Sequence, residues 1–478
     1  MRLLPITKAQ SAVPYLPLSN EGQLETSQPL ASEKTHSMPK KENVAMDESH
    51  HYDNSHANRQ PQSGHYPILT GNPLTKAQTE ALGEELNALY QEVMESLGSD
   101  EARYIQRVYA AVACSEMAGR GLLAVAGRLS SKRYQGGTWL LGTALLSFSK
   151  IVNNMELGHN VMHGQYDWMQ HPHLNSQKFD WDNVCPAPLW QHSHNYLHHT
   201  FTNIFGLDHD VGYHLIRITE EQTWTPSDRN NLFKTAVLAL GFEWAVAFHD
   251  IQISVEEYAD STELHQTMQQ KTRALLAKIA RQLAKDYVVL PTAIGLTLGG
   301  RSALTTLSGT ATANVARNLW TWAVIFCGHF TEQAHIYTHI DANESKGDWY
   351  VRQILGSSNI KGSKWFHILT GNLSHQIEHH IFPDMPASRY AGIAPQVQAL
   401  CQKYNLEYNT GRFSQQLWQV LKRIHHFSQP TTEEYHAYKQ SLAKADTAAD
   451  SIDKSEHRLG GWSRFLPPTL RHTLAYAK

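Results

Sequence analysis

Three groups of histidines, each at helical spacing, constrain this chain more than any other feature of its sequence. The first group lies in "GHNVMHG", where His159 and His163 are four residues apart. On a helix this spacing places both imidazoles on one face, one turn apart, where they can bind the same ion. One such pair alone is common on a protein surface, so its meaning depends on the other two groups.

The second group lies in "WQHSHNYLHHT" and repeats the four-residue step between His194 and His198. His199 follows directly and points about 100° away around a helix. The two neighbouring histidines can therefore serve two different metals. His192 lies two residues before the group and suits either a supporting role or an exposed position.

The third group, in "GNLSHQIEHHIFP", contains His379 and His380, and each has a further candidate ligand four residues earlier. His375 pairs with His379 in this way, and Gln376 pairs with His380. Helical geometry therefore does not choose between His375 and Gln376. Neutral imidazole is the better iron ligand, whereas the oxygen of an amide is a weak donor.

Together the three groups indicate a site for two metal ions. Each group lies near the end of an apolar segment, and seven or more nitrogen ligands exceed the four positions of a zinc site. Imidazole suits zinc, copper, iron and nickel, and a nitrogen-rich pair with open positions suits oxygen activation by iron. Glu-x-x-His spacing occurs at Glu156 and at Glu332, which permits carboxylate bridges without requiring them.

The composition argues against other kinds of site. Lys and Arg number 41 against 44 Asp and Glu, so this near-neutral balance gives no argument for a nucleic-acid partner. The 4 cysteines are far apart and form no Cys-x-x-Cys pair, which argues against a cysteine-based metal site or a disulfide framework. The first residues lack an apolar stretch of signal-peptide length, and we expect the N-terminus to stay in the cytoplasm.

Sequence patterns divide the chain into three parts. Residues 1–70 are expected to form a disordered polar arm, because they hold too few large apolar residues to offset the entropy of folding. Residues 71–408 are expected to fold, and they open with an amphipathic helix that begins after Thr75 and ends near Gly98. Residues 409–478 are expected to form a polar helical tail with a basic end.

Five weakly apolar segments are candidates for membrane spans. A spanning helix needs about 20 mostly apolar residues. Several of these segments are shorter or carry a charge such as Arg317, so hydropathy alone leaves the membrane assignment open. The segments run from Tyr104 to Leu129, Gly136 to Phe148, Leu232 to Phe248, Tyr287 to Gly300 and Ser302 to Gly328.

At these motifs the chain resembles a known family. "HNVMH", "HNYLHH" and "HQIEHHIFP", in this order, resemble the three histidine boxes of the membrane fatty acid desaturases. The stretches "HNVMHGQYDWM", "CGHF" and "GNLSHQIEHHIFPDMP" are most similar to the bacterial acyl-CoA desaturases. The resemblance runs from about Tyr104 to Tyr408 and implies that residues 71–408 are a membrane desaturase domain.

The resemblance implies a fold and a ligand set. The fold is an all-α, polytopic membrane domain with about four spans and a cytoplasmic helical cap that holds a di-iron site. The implied location is a bacterial inner membrane, with the site on its cytoplasmic face. Gln376 is favoured over His375, and His329 of "CGHF" supplies one ligand. The implied metal ligands are His159, His163, His194, His198, His199, His329, Gln376, His379 and His380. The implied catalytic residues are the same set without His329 and Gln376.

The resemblance also implies a reaction. A saturated methylene group has no polarity for acid or base catalysis, so its oxidation requires an oxidant made from O2 at a metal. We therefore expect a fatty acid desaturase that uses two iron ions and O2 to insert a cis double bond into an acyl-CoA or acyl-lipid chain. No His-Pro-Gly-Gly heme motif occurs. Electrons are therefore expected from NAD(P)H through an external ferredoxin or cytochrome b5 type carrier with its reductase, and membrane lipids are the other expected partner.

Two alternatives stay open at the level of sequence. A membrane di-iron hydroxylase or ketolase uses similar boxes but returns oxygen to a lipid or hydrocarbon substrate. A non-enzymatic metal-handling membrane protein would use its histidines as carriers. The regular helical spacing of the boxes argues against the metal-handling alternative, and product analysis separates the hydroxylase from the desaturase.

Two further features concern the surroundings of the boxes. The basic segment from Arg128 to Arg133 would lie outside the cell in the family's topology, whereas positive charges on short loops favour the cytoplasm. Five carboxylates are candidates to orient the imidazoles, although a solvated charge explains each of them equally well. These carboxylates are Asp167, Asp208, Asp210, Glu332 and Glu378.

Overall fold

Helices make up most of this chain. The computed structural model describes residue 66 and residues 68–69, 71–257, 264–339 and 343–452. Within these residues, strands are confined to four short segments that form two parallel pairs. The chain is therefore mostly helical, as its sequence predicts.

The helix α1 (Lys76–Glu95) is the amphipathic helix that the sequence predicts. It begins at a capping box, in which Thr75 and Gln78 each accept a hydrogen bond from the other's backbone N–H. Leu82 and Leu86 on its apolar face are fully buried. This face packs against the C-terminal part of the domain, in a core that includes Ile377 of the third histidine group.

The helices α2 (Ser99–Ala126) and α3 (Lys132–Val152) form a closely packed hairpin. Two glycines permit the close approach of their backbones. A Cβ atom at Gly119 would lie 2.8 Å from the backbone nitrogen of Leu146, and one at Gly142 would lie 3.0 Å from the carbonyl oxygen of Gly119. Side chains at these two positions would push the helices apart.

Beyond α3 the chain forms shorter helices around the histidine groups. Two of its turns are π-helical, Asn153–His159 and Gln191–His198, and they carry histidines of the first two groups. The α-helices of this part are α4 (Asn160–Met162), α5 (Ala187–Trp190), α6 (His199–Phe201), α7 (Asn231–Leu240), α8 (Phe242–Glu257) and α9 (Leu264–Leu283). Its 3-10 turns are Asp167–Met169, Gly212–His214 and Pro226–Asn230.

The helix α9 continues through a third π-helical turn, Ala284–Val289, into α10 (Leu290–Leu298). Gly299 then makes the turn into α11 (Gly300–His329) with a φ of 93°, which glycine adopts at little cost. The helices α10 and α11 pack beside α2 and α3. The four helices form one bundle, and α11 ends at His329.

The two turns of this bundle touch each other at the end away from the histidines. A Cβ atom at Gly127 would lie 2.3 Å from the backbone nitrogen of Ser302, so the turns are in direct contact. Beside them, the hydroxyl of Thr305 donates to the carbonyl oxygen of Leu123 at 2.7 Å. The helices α3 and α11 both start near this contact and bring the histidines together at their C-terminal ends.

Buried charges of the bundle helices are paired inside the fold. The Lys150 amine lies 2.9 Å from a carboxylate oxygen of Asp182 and 2.9 Å from one of Asp286. Arg317, which is almost fully buried, lies 2.5 Å from Glu243. These charges lower the hydropathy of their segments, but none of them is left buried without a partner.

Among the described helices, α2 alone is long and apolar enough to cross a membrane by itself. A bent pair, Pro226–Leu240 with Phe242–Ile253, raises the number to two if the pair forms one broken span. The resemblance implies about four spans. The helix α10 is too short, with 9 residues. Charges in α3 and the many Thr, Ser and Asn residues of α11 lower the hydropathy of these two helices, which explains the smaller number.

Short strands connect distant segments in the C-terminal half. The strand β1 (Ile68–Leu69) pairs in parallel with β2 (Ile336–Tyr337). The strand β3 (Asn359–Lys361) pairs in parallel with β4 (Thr410–Arg412). The remaining elements are α12 (Lys346–Leu355), α13 (Lys364–Leu369), α14 (Gln376–Ile381), α15 (Tyr390–Lys403), α16 (Phe413–His426) and α17 (Thr432–Ile452). Two 3-10 turns, Leu373–His375 and Ala387–Arg389, complete them.

The packed structure extends beyond residues 71–408, the domain predicted from the sequence, at both ends. The strand β1 lies inside the expected arm of residues 1–70, and the rest of that arm up to residue 65 lies outside the described residues. The helix α16 lies inside the expected tail of residues 409–478, yet its Val420 and Ile424 are fully buried in a core with residues of α11. The end of that tail, residues 453–478, also lies outside the described residues.

We expect Ile424→Ala to lower the free energy of unfolding by about 2–5 kcal/mol, because it leaves a cavity in a closed core. Thermal or denaturant unfolding of the detergent-purified protein measures this change. His425→Ala, at the exposed neighbouring position, is the matched control and is expected to stay within about 0.5 kcal/mol of wild type. An equal stability of the two variants would show that α16 is not part of the folded core.

Candidate metal centre

The fold brings all three histidine groups together at one end of the bundle. The first group follows α3, the second lies on the π-helical turn Gln191–His198 and the start of α6, and the third lies on α14. His329 joins them from the end of α11. Apart from the partly buried His194, every histidine of the expected ligand set is buried, with at most 5% of its surface exposed.

Ring nitrogens of these histidines form two main groups. In the first, one nitrogen each from His159, His163, His194 and His379 lies within 4.8 Å of the other three. In the second, the nitrogens of three further histidines are equally close. The members of the second group are His198, His329 and His380. Two separate groups of nitrogen donors match a site for two ions better than a site for one.

His199 lies between the two groups. One of its ring nitrogens is within 4.8 Å of nitrogens of His379 and His380, so it is close to one member of each group. Its ring stacks on that of His380, with centroids 4.4 Å apart. Both of its ring nitrogens are buried without a hydrogen-bond partner. His199 is therefore placed to bind either ion.

The unpaired nitrogens show that the site suits a metal. A buried polar atom without a partner costs about 1–3 kcal/mol, so several in one place need an explanation. Imidazole nitrogens are donors for iron, copper, zinc and nickel, and a bound ion would satisfy them. Besides the two nitrogens of His199, the Nε2 atoms of five histidines of the two groups are buried and unpaired. These histidines are His159, His163, His194, His379 and His380.

Burial also keeps most of these rings neutral. Removal from water lowers the pKa of His163, His199, His379 and His380 well below the ordinary range, and the neighbouring imidazoles lower it further. A neutral imidazole has a free lone pair on one nitrogen, which is the form that binds a metal. The rings are thus held in the state that a ligand requires.

Hydrogen bonds to Nδ1 fix the orientation of three rings. Gln353 lies 2.8 Å from Nδ1 of His380 through its Oε1 atom, and the hydroxyl of Tyr390 lies 3.3 Å from Nδ1 of His379. Asn160 lies 3.0 Å from Nδ1 of its neighbour His159. In each ring Nε2 is then free for an ion. The histidine spacing does not predict these three partners, although Asn160 lies within the first box.

His198 is held by carboxylates. Asp208 lies 3.0 Å from its Nδ1, and Asp210 lies 3.7 Å away. Burial disfavours a charge on His198, but the two carboxylates outweigh it and raise the pKa of His198 to about 9. Asp210 in turn lies 2.9 Å from Nε2 of His249 on α8. Both carboxylates are among the five candidates from the sequence, whereas His249 belongs to no histidine group and is not predicted by the pattern.

The other three candidate carboxylates have different partners. Asp167 accepts hydrogen bonds from the backbone N–H and the hydroxyl of Ser176. Glu332 forms an ion pair with Lys422. Glu378 accepts from Asn359 and Tyr408, at 2.8 and 2.7 Å. None of the three orients a histidine of the two groups.

Glu156 belongs to neither group of candidate ligands. It accepts hydrogen bonds from Tyr104 and Asn372, both at 2.8 Å. Asn372 precedes the third histidine group, so Glu156 connects the first group to the third. The carboxylate supports the packing of the two segments, and no carboxylate bridge is needed to explain its burial.

The structure places Gln376 and His375 differently. Nε2 of Gln376 lies 2.9 Å from Nε2 of His329, and its Oε1 is buried and unpaired. A Cβ atom at Gly328 would lie 2.9 Å from the Gln376 amide carbon, so the glycine of "CGHF" makes room for Gln376. His375 instead lies against His367, with ring centroids 4.6 Å apart. Gln376 borders the second group of nitrogens, and His375 does not.

A narrow cleft opens beside the first group. His159 and His194 form part of its wall, and Trp190 stacks on His194 with ring centroids 4.5 Å apart. The cleft has a volume of about 30 Å³, so a long ligand would require side chains to move. Most of the exposed area of its wall is apolar. Its other apolar residues are Met155, Trp181, Phe242, Val246, Ile325 and Leu373.

A paired cluster of buried imidazoles at the end of a helical bundle is typical of proteins with histidine-rich metal sites. Residues 137–412 match the family model described as "Fatty acid desaturase". A protein named NADPH-dependent stearoyl-CoA 9-desaturase from Mycobacterium tuberculosis is 41% identical to this chain over 361 residues. That similarity covers 73% of this chain and 81% of the relative. The chain therefore belongs to the fatty acid desaturase family.

More distant relatives are also named as desaturases. The sn-1 linoleoyl-lipid 6-desaturase of Synechocystis is 26% identical over 278 residues, which cover 56% of this chain and 74% of that protein. The protein of the same name from Arthrospira platensis is 26% identical over 285 residues, with 56% and 72% covered. These matches confirm the predicted family, and with it an oxidoreductase that acts as a fatty acid desaturase.

We expect Gln376→Ala to reduce both bound iron and activity severely, because Gln376 lies against His329 in the second group. His375→Ala is the matched variant, one residue away and outside both groups, and we expect a smaller loss. Iron content by elemental analysis and turnover measure the two effects separately. Loss of iron in His375→Ala together with normal iron in Gln376→Ala would reverse the assignment.

Proposed function

We propose that this chain is an integral membrane desaturase with a di-iron centre, which inserts a cis double bond into the acyl chain of an acyl-CoA. One observation carries the proposal: two groups of buried imidazole nitrogens, several of them unpaired, lie close together, and the first group borders a mainly apolar cleft. The cleft suits a hydrocarbon chain, and the nitrogens suit iron.

In this proposal each group of nitrogens holds one ion. His159, His163, His194 and His379 would hold the first ion. The second would be held by His198, His329 and His380, with Gln376 at its edge and His199 between the two. Two iron ions bound there would supply the O2-dependent oxidising power that no side chain provides.

The surrounding residues position the rings and keep water out. Gln353, Tyr390 and the Asp208 carboxylate hold the Nδ1 side of three rings, so that Nε2 faces inward. Trp181 and Trp190 pack against each other, with ring centroids 5.1 Å apart, in the wall of the cleft. Their bulk would hold a bound acyl chain against the histidines and exclude solvent.

The relatives support acyl-CoA as the substrate and NADPH as the electron source. The relative at 41% identity is named as an NADPH-dependent enzyme of stearoyl-CoA. The relatives at 26% identity are named for a lipid-bound acyl chain, which makes an acyl-lipid the rival substrate. We propose that electrons pass from NADPH through an external reductase and a ferredoxin or cytochrome b5 type carrier.

The bundle of α2, α3, α10 and α11 supports an assignment of about four spans. Large apolar side chains point outward from each helix, and Leu296 of α10 is 84% exposed. A helix of 30 residues, the length of α11, is about 45 Å long, which exceeds a bilayer core of about 30 Å. The histidine end would face the cytoplasm of a bacterial inner membrane. Three further examples of exposed apolar residues are Met117, Leu140 and Leu304.

We expect the purified protein to bind about two iron ions per chain, because it has two groups of nitrogen donors. His163→Ala, His199→Ala and His380→Ala should each abolish desaturation, while membrane insertion is retained. His425→Ala, which lies on the surface, is the control and should keep full iron content and activity. One tightly bound zinc and no iron in the wild-type protein would contradict the proposal.

The function is tested by lipid analysis of a host that expresses the protein together with a reductase and a ferredoxin. We expect new monounsaturated acyl chains, and the same reaction from added acyl-CoA in membranes supplied with NADPH. Hydroxylated chains would identify a hydroxylase instead. Turnover by carrier-free protein with NADPH and O2 alone would contradict the need for an external carrier.

A further inference from the structure

Four exposed cations lie around the two touching turns of the bundle. Arg128, Lys132 and Arg133 belong to the turn between α2 and α3, and Arg301 follows the turn between α10 and α11. The contact of Gly127 with Ser302 brings these turns together. We call the surface formed by Arg128, Lys132, Arg133 and Arg301 the turn end.

Among the residues that the structure describes, no acidic side chain balances the charge of the turn end. The sequence has no Asp or Glu between Glu116 and Glu156, nor between Asp286 and Glu332. Glu116 and Asp286 already pair with Arg120. Within the part of the chain that the structure describes, none of the four cations forms an ion pair. The turn end therefore carries four uncompensated positive charges.

The walls next to these charges are apolar. Tyr134 follows Arg133 and is 71% exposed, and Leu140 and Leu304 are exposed on the adjoining turns of α3 and α11. A layer of cations at the end of an apolar bundle matches the change from hydrocarbon to phosphate in a membrane. A soluble anion would account for the cations but not for the exposed apolar walls.

We propose that the turn end binds the headgroups of anionic phospholipids. The proposal rests on the proposed insertion of the bundle into a membrane. It also gives a reason for the basic segment from Arg128 to Arg133, whose charge conflicts with a position away from the cytoplasm. Phosphate groups of the lipids neutralise the cations, so the segment is stable on that side.

The test compares the lipids that the full-length protein retains from an equimolar mixture of phosphatidylcholine and phosphatidylglycerol. Mass spectrometry of the purified protein gives the ratio of the two. In the test variant Arg128, Lys132, Arg133 and Arg301 are all changed to Gln. In the control variant four exposed cations elsewhere are changed to Gln, with the same change in net charge. These are Lys76, Lys178, Arg229 and Arg273.

We expect the wild-type and control proteins to prefer phosphatidylglycerol, and added salt to weaken that preference. A cation near an anionic surface contributes about a fivefold preference for anionic lipid. The preference of the test variant for phosphatidylglycerol is therefore expected to fall about tenfold or more. Retention of the full preference in the test variant would overturn the proposal. So would an equal loss in the control variant, or a preference that salt does not change.

Two further measurements keep the result clear. Size-exclusion behaviour and iron content show whether the test variant is folded. If it is not, the single variants Arg128→Gln and Arg301→Gln replace it, and the preference of each for phosphatidylglycerol is expected to fall about fivefold. Full preference in both single variants would then overturn the proposal. The lipid ratio needs neither iron nor turnover, so an inactive wild-type protein would count against the proposed function and leave this test valid.

Discussion

The main constraint on this fold is that it must hold imidazole nitrogens in a dry space without giving them hydrogen-bond partners. Each unpaired nitrogen costs about 1–3 kcal/mol, so the site would not persist on its own. The surrounding core supplies the compensating stability, with α1 packed over the third group and α16 packed beside α11. A bound pair of metal ions would satisfy these nitrogens. The ions would bind more tightly because the donors are already in place.

The buried charges within the bundle are held in pairs, which avoids the cost of leaving a charge alone. Lys150, Asp182 and Asp286 meet across separate elements, and Arg317 meets Glu243. Such pairs seldom add much stability, but breaking one would leave a buried charge alone. We therefore expect these pairs to help define how the helices are positioned against each other. The lower hydropathy of α3 and α11 is a result of this arrangement.

The sequence predicted the meeting of the three histidine groups better than the residues that surround them. The spacing of His159 with His163 and of His194 with His198 is local, so a helix brings each pair together in any fold. Gln353 and Tyr390 lie on other elements, and only tertiary packing brings them to His380 and His379. No sequence pattern connects such residues. The convergence of the boxes was inferred, and the fold shows it.

The extent of the domain was predicted less well, for a similar reason. Residues after 408 are polar on average, but α16 presents Val420 and Ile424 on one face and buries them. Average composition hides an amphipathic pattern of this kind. The strand β1 is too short to stand out from a polar segment, and its pairing with β2 depends on a partner far along the chain.

The distribution of the histidines along the chain has a consequence for biosynthesis. Both groups of nitrogens include a residue of α14, His379 in one and His380 in the other. Neither group is complete until the ribosome has passed these two residues and the emerging segment has docked on α11. In the proposed function, metal loading would therefore come late, after the bundle helices have been made. A chain truncated before α14 would hold most of the donors but neither complete site.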